Sequence, residues 1–341
     1  MDRAQEQCSA LGNNQLFVNS SNDYKPTMTD LKLKTVTRTQ GNNQALKDGT
    51  VRPSTFDFDF EEVPVLGDGF RRMVRGLEFD ICEMALTTYV CAKEHGVRFT
   101  ALPIFLVRAF HHGAIVVNTK AGITGPKDLE GKRVGVNRGY TVTTGVWARS
   151  ILEDEHAVDL SKITWVLSGD EHVEAYRPPA NVVPIEAGKD LADMLVAGEI
   201  AAAVGVKADL PNVKPLVANA LEAGLNALKA RGLYPINHLM VVRDDLLSAH
   251  PDLGLDIFDA FAASKRLYLD RLKAGRIEDP TIIDQIHRRV MEVIDDPLPY
   301  GVEPNRRVLE QLIEHALTQK IITLPVEVDS LFASRTLGRV A

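Results

Sequence analysis

The chain lacks the features that would tie it to a disulfide scaffold, a nucleotide or a membrane. Its 341 residues include only three cysteines, Cys8, Cys82 and Cys91. An odd count with no CxxC pair excludes a disulfide framework and a zinc knuckle. Cys82 and Cys91 lie among apolar residues and read as inert core positions. No apolar run has the length of a membrane span or the placement of a signal peptide, so a cytoplasmic protein without a membrane partner is expected. The GxGxxG, P-loop, HExxH and GxSxG patterns are all missing, which removes the common dinucleotide, nucleotide, zinc-peptidase and serine-hydrolase readings. Basic residues number 39 against 46 acidic ones, giving a net charge of −7 with no basic stripe. Nucleic acid is therefore not an expected partner.

What is present is ordinary globular composition, 45% hydrophobic and 25% charged, in a chain too long for one small core. Residues 1–28 are polar and rich in Asn and Ser, and read as a disordered tail. Met28 stands as an alternative start, because the alternating segment LKLKTVT follows at once. Strand-like and helix-like segments then alternate. TFDFDFEEV has period two, FDI is a short strand, and EMALTTYVCAKEHG reads as a helix closed by Gly96. The pattern restarts after Pro126, and the chain beyond Asp245 is nearly all helix with three-to-four apolar spacing. This order predicts an α/β architecture of two lobes: residues 29–118 plus 234–341 in lobe one, 119–233 in lobe two, and a cleft between them. The C-terminal helices read as a cover for lobe one or as an oligomer interface, and a homo-oligomer is expected.

The most informative stretch is GKRVGVNRGYTVTTGVW, residues 131–147. A strand runs into a loop with Arg138 and Gly139, and Thr141, Thr143 and Thr144 follow as a helix opens. Unpaired N–H groups and the dipole make a helix start a place for an anion.

Several longer blocks carry a resemblance. FDICEMALTTY, LPIFLVRAFHHGAIVVN, GPKDLEGKRVGVNRGYTVTTGVWARSIL, ITWVLSGDEH and YPINHLMVVR occur in the order and spacing of the 4,5-dihydroxyphthalate decarboxylase family. DLEGKRVGV and LADMLVAGEIAAAVG are similar to the second lobe of the type II periplasmic-binding-protein-like fold, on which that family is built. The resemblance implies loss of one carboxyl group from a dihydroxylated phthalate, giving protocatechuate and CO2. It implies no organic cofactor, and no metal-ligand pattern appears. The alternative is a non-catalytic cytosolic binding protein for a small aromatic carboxylate.

Such a substrate calls for cations at the carboxylate, an acid above the ring carbon and a group to manage the phenolic proton. Arg108 and Arg138 are the candidate clamp, since guanidinium binds carboxylate in a fixed plane. Tyr140, Thr141, Thr143 and Thr144 are candidate binding residues beside Arg138. Trp147 reads as core, and Tyr300 as a rim aromatic. Glu83, read as the start of a helix, is a candidate carboxyl with a raised pKa. His238 is a candidate acid or base at the return crossing. Of the adjacent pair, His112 is preferred for catalysis and His111 is taken as structural.

Overall fold

The structure is a computed structural model and describes residues 31–341. The tail expected over residues 1–28, with Cys8 and Met28, lies outside the described residues. Lobe one begins with β1 (Lys32–Val36), α1 (Gln44–Lys47), β2 (Asp57–Phe60), α2 (Leu66–Gly76), β3 (Ile81–Ala85), α3 (Leu86–Glu94) and β4 (Phe99–Arg108). The chain then builds lobe two from β5 (Ile115–Asn118), β6 (Arg133–Val136), α4 (Thr143–His156), β7 (Thr164–Leu167), β8 (Val182–Pro184), α5 (Leu191–Ala197), β9 (Ala202–Val204), β10 (Val213–Pro215) and α6 (Ala220–Arg231). It returns through β11 (Ile236–Arg243) and ends in α7 (Asp244–Ala249), α8 (Leu253–Lys273), α9 (Ile282–Met291) and α10 (Arg306–Thr318).

The first sheet has the order β2-β1-β3-β11-β4 and the second β10-β5-β9-β6-β7-β8. In lobe one, β1 runs parallel to β2 and β3, while the returning β11 runs antiparallel to both β3 and β4. β3 is buried at every position, and β11 is buried at all but His238 and Arg243. Two strands enclosed on both sides and both faces must be nearly continuous apolar runs, which makes the polar residues within them conspicuous.

One boundary differs from the sequence reading. β5 pairs with β9 and β10, so it belongs to the second sheet, and the first crossing falls at residues 109–114 rather than after 118. The return crossing follows α6, at residues 232–235. The C-terminal segment is also not confined to lobe one. Gln319, just after α10, donates to the Val146 carbonyl of α4 and accepts from Arg149 Nε at 2.8 Å. A single apolar cluster accordingly runs through both lobes, joining Val134, Trp147 and Trp165 to Tyr89, Ile236, Leu309 and Leu312. Gly224 of α6 shows how tightly the first crossing is held: a Cβ there would sit 2.4 Å from the Phe110 ring. No helix among the described residues is long and apolar enough to cross a membrane.

Candidate active site

The carboxyl ends of β1 and β3 and the start of β11 meet at one edge of the first sheet. Across β3 and β11, Glu83 pairs in register with Met240 and Ala85 with His238, so Glu83 and His238 are diagonal neighbours. Their side chains meet: His238 Nδ1 lies 2.6 Å from Glu83 Oε1. The other carboxylate oxygen accepts from the Thr37 hydroxyl at 2.8 Å and the Arg38 N–H at 2.9 Å. Burial pushes the Glu83 carboxyl up, but His238, Thr37 and Arg38 together outweigh it and hold the pKa below the ordinary 4.5. Glu83 is thus an ionised carboxylate at neutral pH. The expectation of a raised pKa, and of a place at a helix start, is corrected: Glu83 lies inside β3, and three donors compensate its burial. A carboxylate in this position fixes the imidazole, accepting a hydrogen bond from Nδ1–H and leaving Nε2 for the open side.

That open side is a cavity of about 570 Å³. His238 lines it together with Arg38, Thr39 and Gln40 after β1, Tyr268 and Arg271 of α8, and Asp284 and His287 of α9. The Arg38 and Arg271 guanidinium groups make no hydrogen bond or ion pair among the described residues. His238 also meets Phe70 edge to face at 5.3 Å, and Phe70 in turn meets His172 at 5.8 Å. Arg138 approaches the same place from lobe two. It is exposed, has φ +74°, and its guanidinium likewise lacks a bonded partner among the described residues. The lobes are drawn together beside it. Asp170, beyond β7, pairs with Arg71 and Arg75 of α2, each at 2.8 Å.

Several expected site residues are committed elsewhere. The anion at the start of α4 is one of the protein's own: the Glu171 carboxylate accepts from the Tyr140 and Thr141 N–H groups and from the Thr141 hydroxyl at 2.7 Å. Thr143 bonds Thr87 of α3, and Thr144 Oγ1 lies 3.5 Å from the Asn237 amide. Tyr140 is buried under the Arg149 guanidinium, 3.8 Å from its ring centre. These residues join the lobes and shape the Arg138 loop, and the backbone donors at the start of α4 are taken by Glu171. Arg108 is also corrected. It is buried, bonded to the Tyr234 and Pro299 carbonyls and to Asn305, and burial draws its pKa down to about 10. It stands on the wall of the His238 cavity, but its bonds to protein oxygens tie β4 to the C-terminal segment instead of pairing it with Arg138 as a clamp.

The histidine preference reverses as well. His112 Nε2 faces the Glu155 carboxylate near the far end of α4, and Glu155 also pairs with Arg231. The site lies at the other end of that helix, so His112 is structural. His111 is nearer to the dyad, with Nε2 2.9 Å from Asn237 Oδ1, the neighbour of His238 in β11. Trp147 is core, its Nε1 donating to the Ile236 carbonyl at 3.0 Å; Tyr300, expected at a rim, is fully buried. One group of metal-ligand composition occurs among the described residues, Glu153, Asp154 and His315. It lies at the far end of α4, where His315 Nε2 already faces Asp154 at 3.1 Å.

No protein-family model matches the chain. Among curated proteins, it is 34% identical over 266 residues to the 4,5-dihydroxyphthalate decarboxylase of Comamonas testosteroni, an alignment covering 72% of this chain and 80% of that one. The chain belongs to the 4,5-dihydroxyphthalate decarboxylase family. A second member of the family, from Pseudomonas putida, is 36% identical over 147 residues, 41% of this chain and 57% of that relative. Membership makes the protein an enzyme of the lyase class, as the sequence resemblance implied.

Among solved structures, the desulfurization enzyme DSZB aligns with a TM-score of 0.52 at 14% identity, over 91% of this chain and 99% of that one. The periplasmic aliphatic sulphonate binding protein SsuA from Escherichia coli aligns with a TM-score of 0.51 at 11% identity, over 89% and 91%. At such identity the likeness speaks for the fold alone, which is the two-lobed type II periplasmic-binding-protein-like fold. In this decarboxylase-family chain the sequence reading passed over Arg38 and His172. Both follow the carboxyl ends of strands, Arg38 just after β1 and His172 five residues beyond β7. That position was the signal available for both.

Proposed function

We propose that this chain removes one carboxyl group from 4,5-dihydroxyphthalate, releasing CO2 and leaving 3,4-dihydroxybenzoate (protocatechuate). Family membership supports decarboxylation of an aromatic dicarboxylate. The observation that carries the finer reading is the Glu83–His238 pair on the wall of a cavity with an arginine, Arg38, whose guanidinium is unpaired among the described residues. In the proposed substrate each hydroxyl is para to a carboxylate. Direct loss of CO2 would leave an aryl anion, so the ring must first accept a proton at the carbon that bears the leaving group.

In this reading His238 delivers that proton from Nε2 while Glu83 holds Nδ1. The para hydroxyl gives up its proton to solvent in the cavity, and the ring becomes a dienone with a tetrahedral carbon carrying H and carboxylate. The C–C bond then breaks and CO2 departs. The bonding pair returns to the ring, and the carbonyl oxygen becomes a phenolate that regains its proton. One proton is consumed per CO2. Glu83 stabilises the imidazolium while it waits, and an acid positioned in this way contributes on the order of 10²- to 10⁴-fold. Arg138 meets a carboxylate of the substrate from lobe two. The scheme uses no metal or organic cofactor, so chelation is expected to leave the rate unchanged; lost activity restored by a divalent ion would contradict it. The direct test is incubation with 4,5-dihydroxyphthalate, following CO2 and 3,4-dihydroxybenzoate, with equal amounts of both expected. Tight binding without either product would favour the carboxylate-binding alternative.

A further inference from the structure

The start of α2 is open in a way that calls for a ligand. No side chain among the described residues caps this 11-residue helix, whose N-cap position is Val65. Its second residue is Gly67, and a Cβ there would lie 3.3 Å from an Arg138 guanidinium nitrogen and 3.9 Å from His172 Nε2. Glycine therefore lets a guanidinium from lobe two and an imidazole converge on a helix start in lobe one. Asp68, the acid in this first turn, is exposed and paired with Arg71 at 3.0 Å.

His172 is the independent observation. Its side chain is 2% exposed, and Nε2 is buried without a hydrogen-bond partner among the described residues. Nδ1 lies 3.0 Å from the Thr88 hydroxyl. Burial, with the Arg71 and Arg138 charges nearby, draws the His172 pKa down to about 4, so the ring is neutral at pH 7 and carries one N–H. The Thr88 hydroxyl has no other acceptor among the described residues, and by donating to Nδ1 it places the ring proton on Nε2, the tautomer that the subsite requires. A buried N–H left unpaired beside a guanidinium costs stability unless an acceptor arrives, and the charges select an anionic one.

We propose that Gly67 at the α2 start, Arg138 and His172 Nε2 together form the subsite for the carboxylate that the substrate keeps. The inference rests on the reading above for its ligand, an aromatic dicarboxylate. It deepens that reading by deciding which of two chemically equivalent carboxylates leaves. A carboxylate held by a cation and two sets of N–H donors loses all of those contacts on becoming neutral CO2, so departure from this subsite is disfavoured. The second carboxylate carries no such penalty. Phe70 touches both His172 and His238, so the subsite adjoins the proton donor.

The test uses two ligands that cannot turn over: phthalate, with both carboxylates and no hydroxyl, and catechol, with hydroxyls and no carboxylate. Calorimetric titration of the full chain is expected to show phthalate binding weakened about 10- to 100-fold by His172→Phe and by Gly67→Ala, with catechol binding unchanged. His172→Gln, whose amide N–H can stand near the Nε2 position, should recover most of the phthalate affinity. Phthalate binding that is indifferent to His172→Phe overturns the subsite, and so does equal weakening of both ligands. Failure of the functional reading looks different: His172-dependent phthalate binding with no turnover of 4,5-dihydroxyphthalate keeps the subsite and removes the reaction. Turnover with His172-independent phthalate binding does the reverse.

Discussion

Replacing Glu83 with glutamine changes one atom and tests the role of the pair. The wild-type carboxylate accepts from Thr37 and Arg38 on one oxygen and from His238 on the other. An amide has a single oxygen. Its least costly orientation keeps Thr37 and Arg38 satisfied and turns NH2 toward His238 Nδ1. The imidazole must then accept at Nδ1, and its doubly protonated form clashes with the amide donors. Turnover is expected to fall about 10²- to 10⁴-fold. The lost charge-assisted bonds are worth about 1.5–3 kcal/mol, and relief from burying a charge offsets part of that. Net destabilisation at pH 7 should be about 1–2 kcal/mol.

The pH dependence has a definite sign. The folded-state pKa of Glu83 is below 4.5, so its contribution to stability is fully present above about pH 4.5 and is lost as pH falls through the lower folded value. Urea unfolding of both proteins at pH 7 and at about pH 3 should show the difference shrinking at the acid end. A Glu83→Gln variant with wild-type turnover, or with a stability gap that does not narrow in acid, would refute this reasoning.

Other outcomes follow from the same structure. His112→Ala should lower stability by about 1–3 kcal/mol, because Glu155 loses one of its two partners and keeps only Arg231, and leave the rate constant for turnover within about twofold; a large loss of turnover without loss of stability would return His112 to the chemistry. Asp170→Asn removes the exposed bridge to Arg71 and Arg75, so KM should rise a few-fold at low salt and the effect should fade at high salt. A salt-independent change would place its cause elsewhere. Gly224→Ala drives a methyl into Phe110 and should cost about 1–3 kcal/mol in denaturant unfolding, with unchanged stability contradicting the close packing at the crossing.

The alternation of strands and helices made two α/β lobes legible, because period and punctuation are local properties. Glu83 and His238 were each legible as candidates near the ends of strands. Their pairing was not, since it depends on the register of two strands 155 residues apart in sequence. The start of α4 misled for a related reason. Its open donors were real in the sequence, but Glu171, 30 residues on, folds back to fill them. The open helix start is that of α2, whose Val-Leu-Gly entry carries no hydroxyl or acidic cap signal. Arg108 at the end of an apolar strand had the right chemistry for a clamp, and only the fold shows its guanidinium wrapped by protein oxygens.

The central claim is that the imidazole of His238, held by Glu83, supplies the ring proton. Its most direct test is the rate of CO2 release from 4,5-dihydroxyphthalate by His238→Gln beside wild type, with phthalate affinity measured in parallel. The account predicts a loss of at least about 100-fold in rate with phthalate affinity retained. A variant that releases CO2 at the wild-type rate would contradict it.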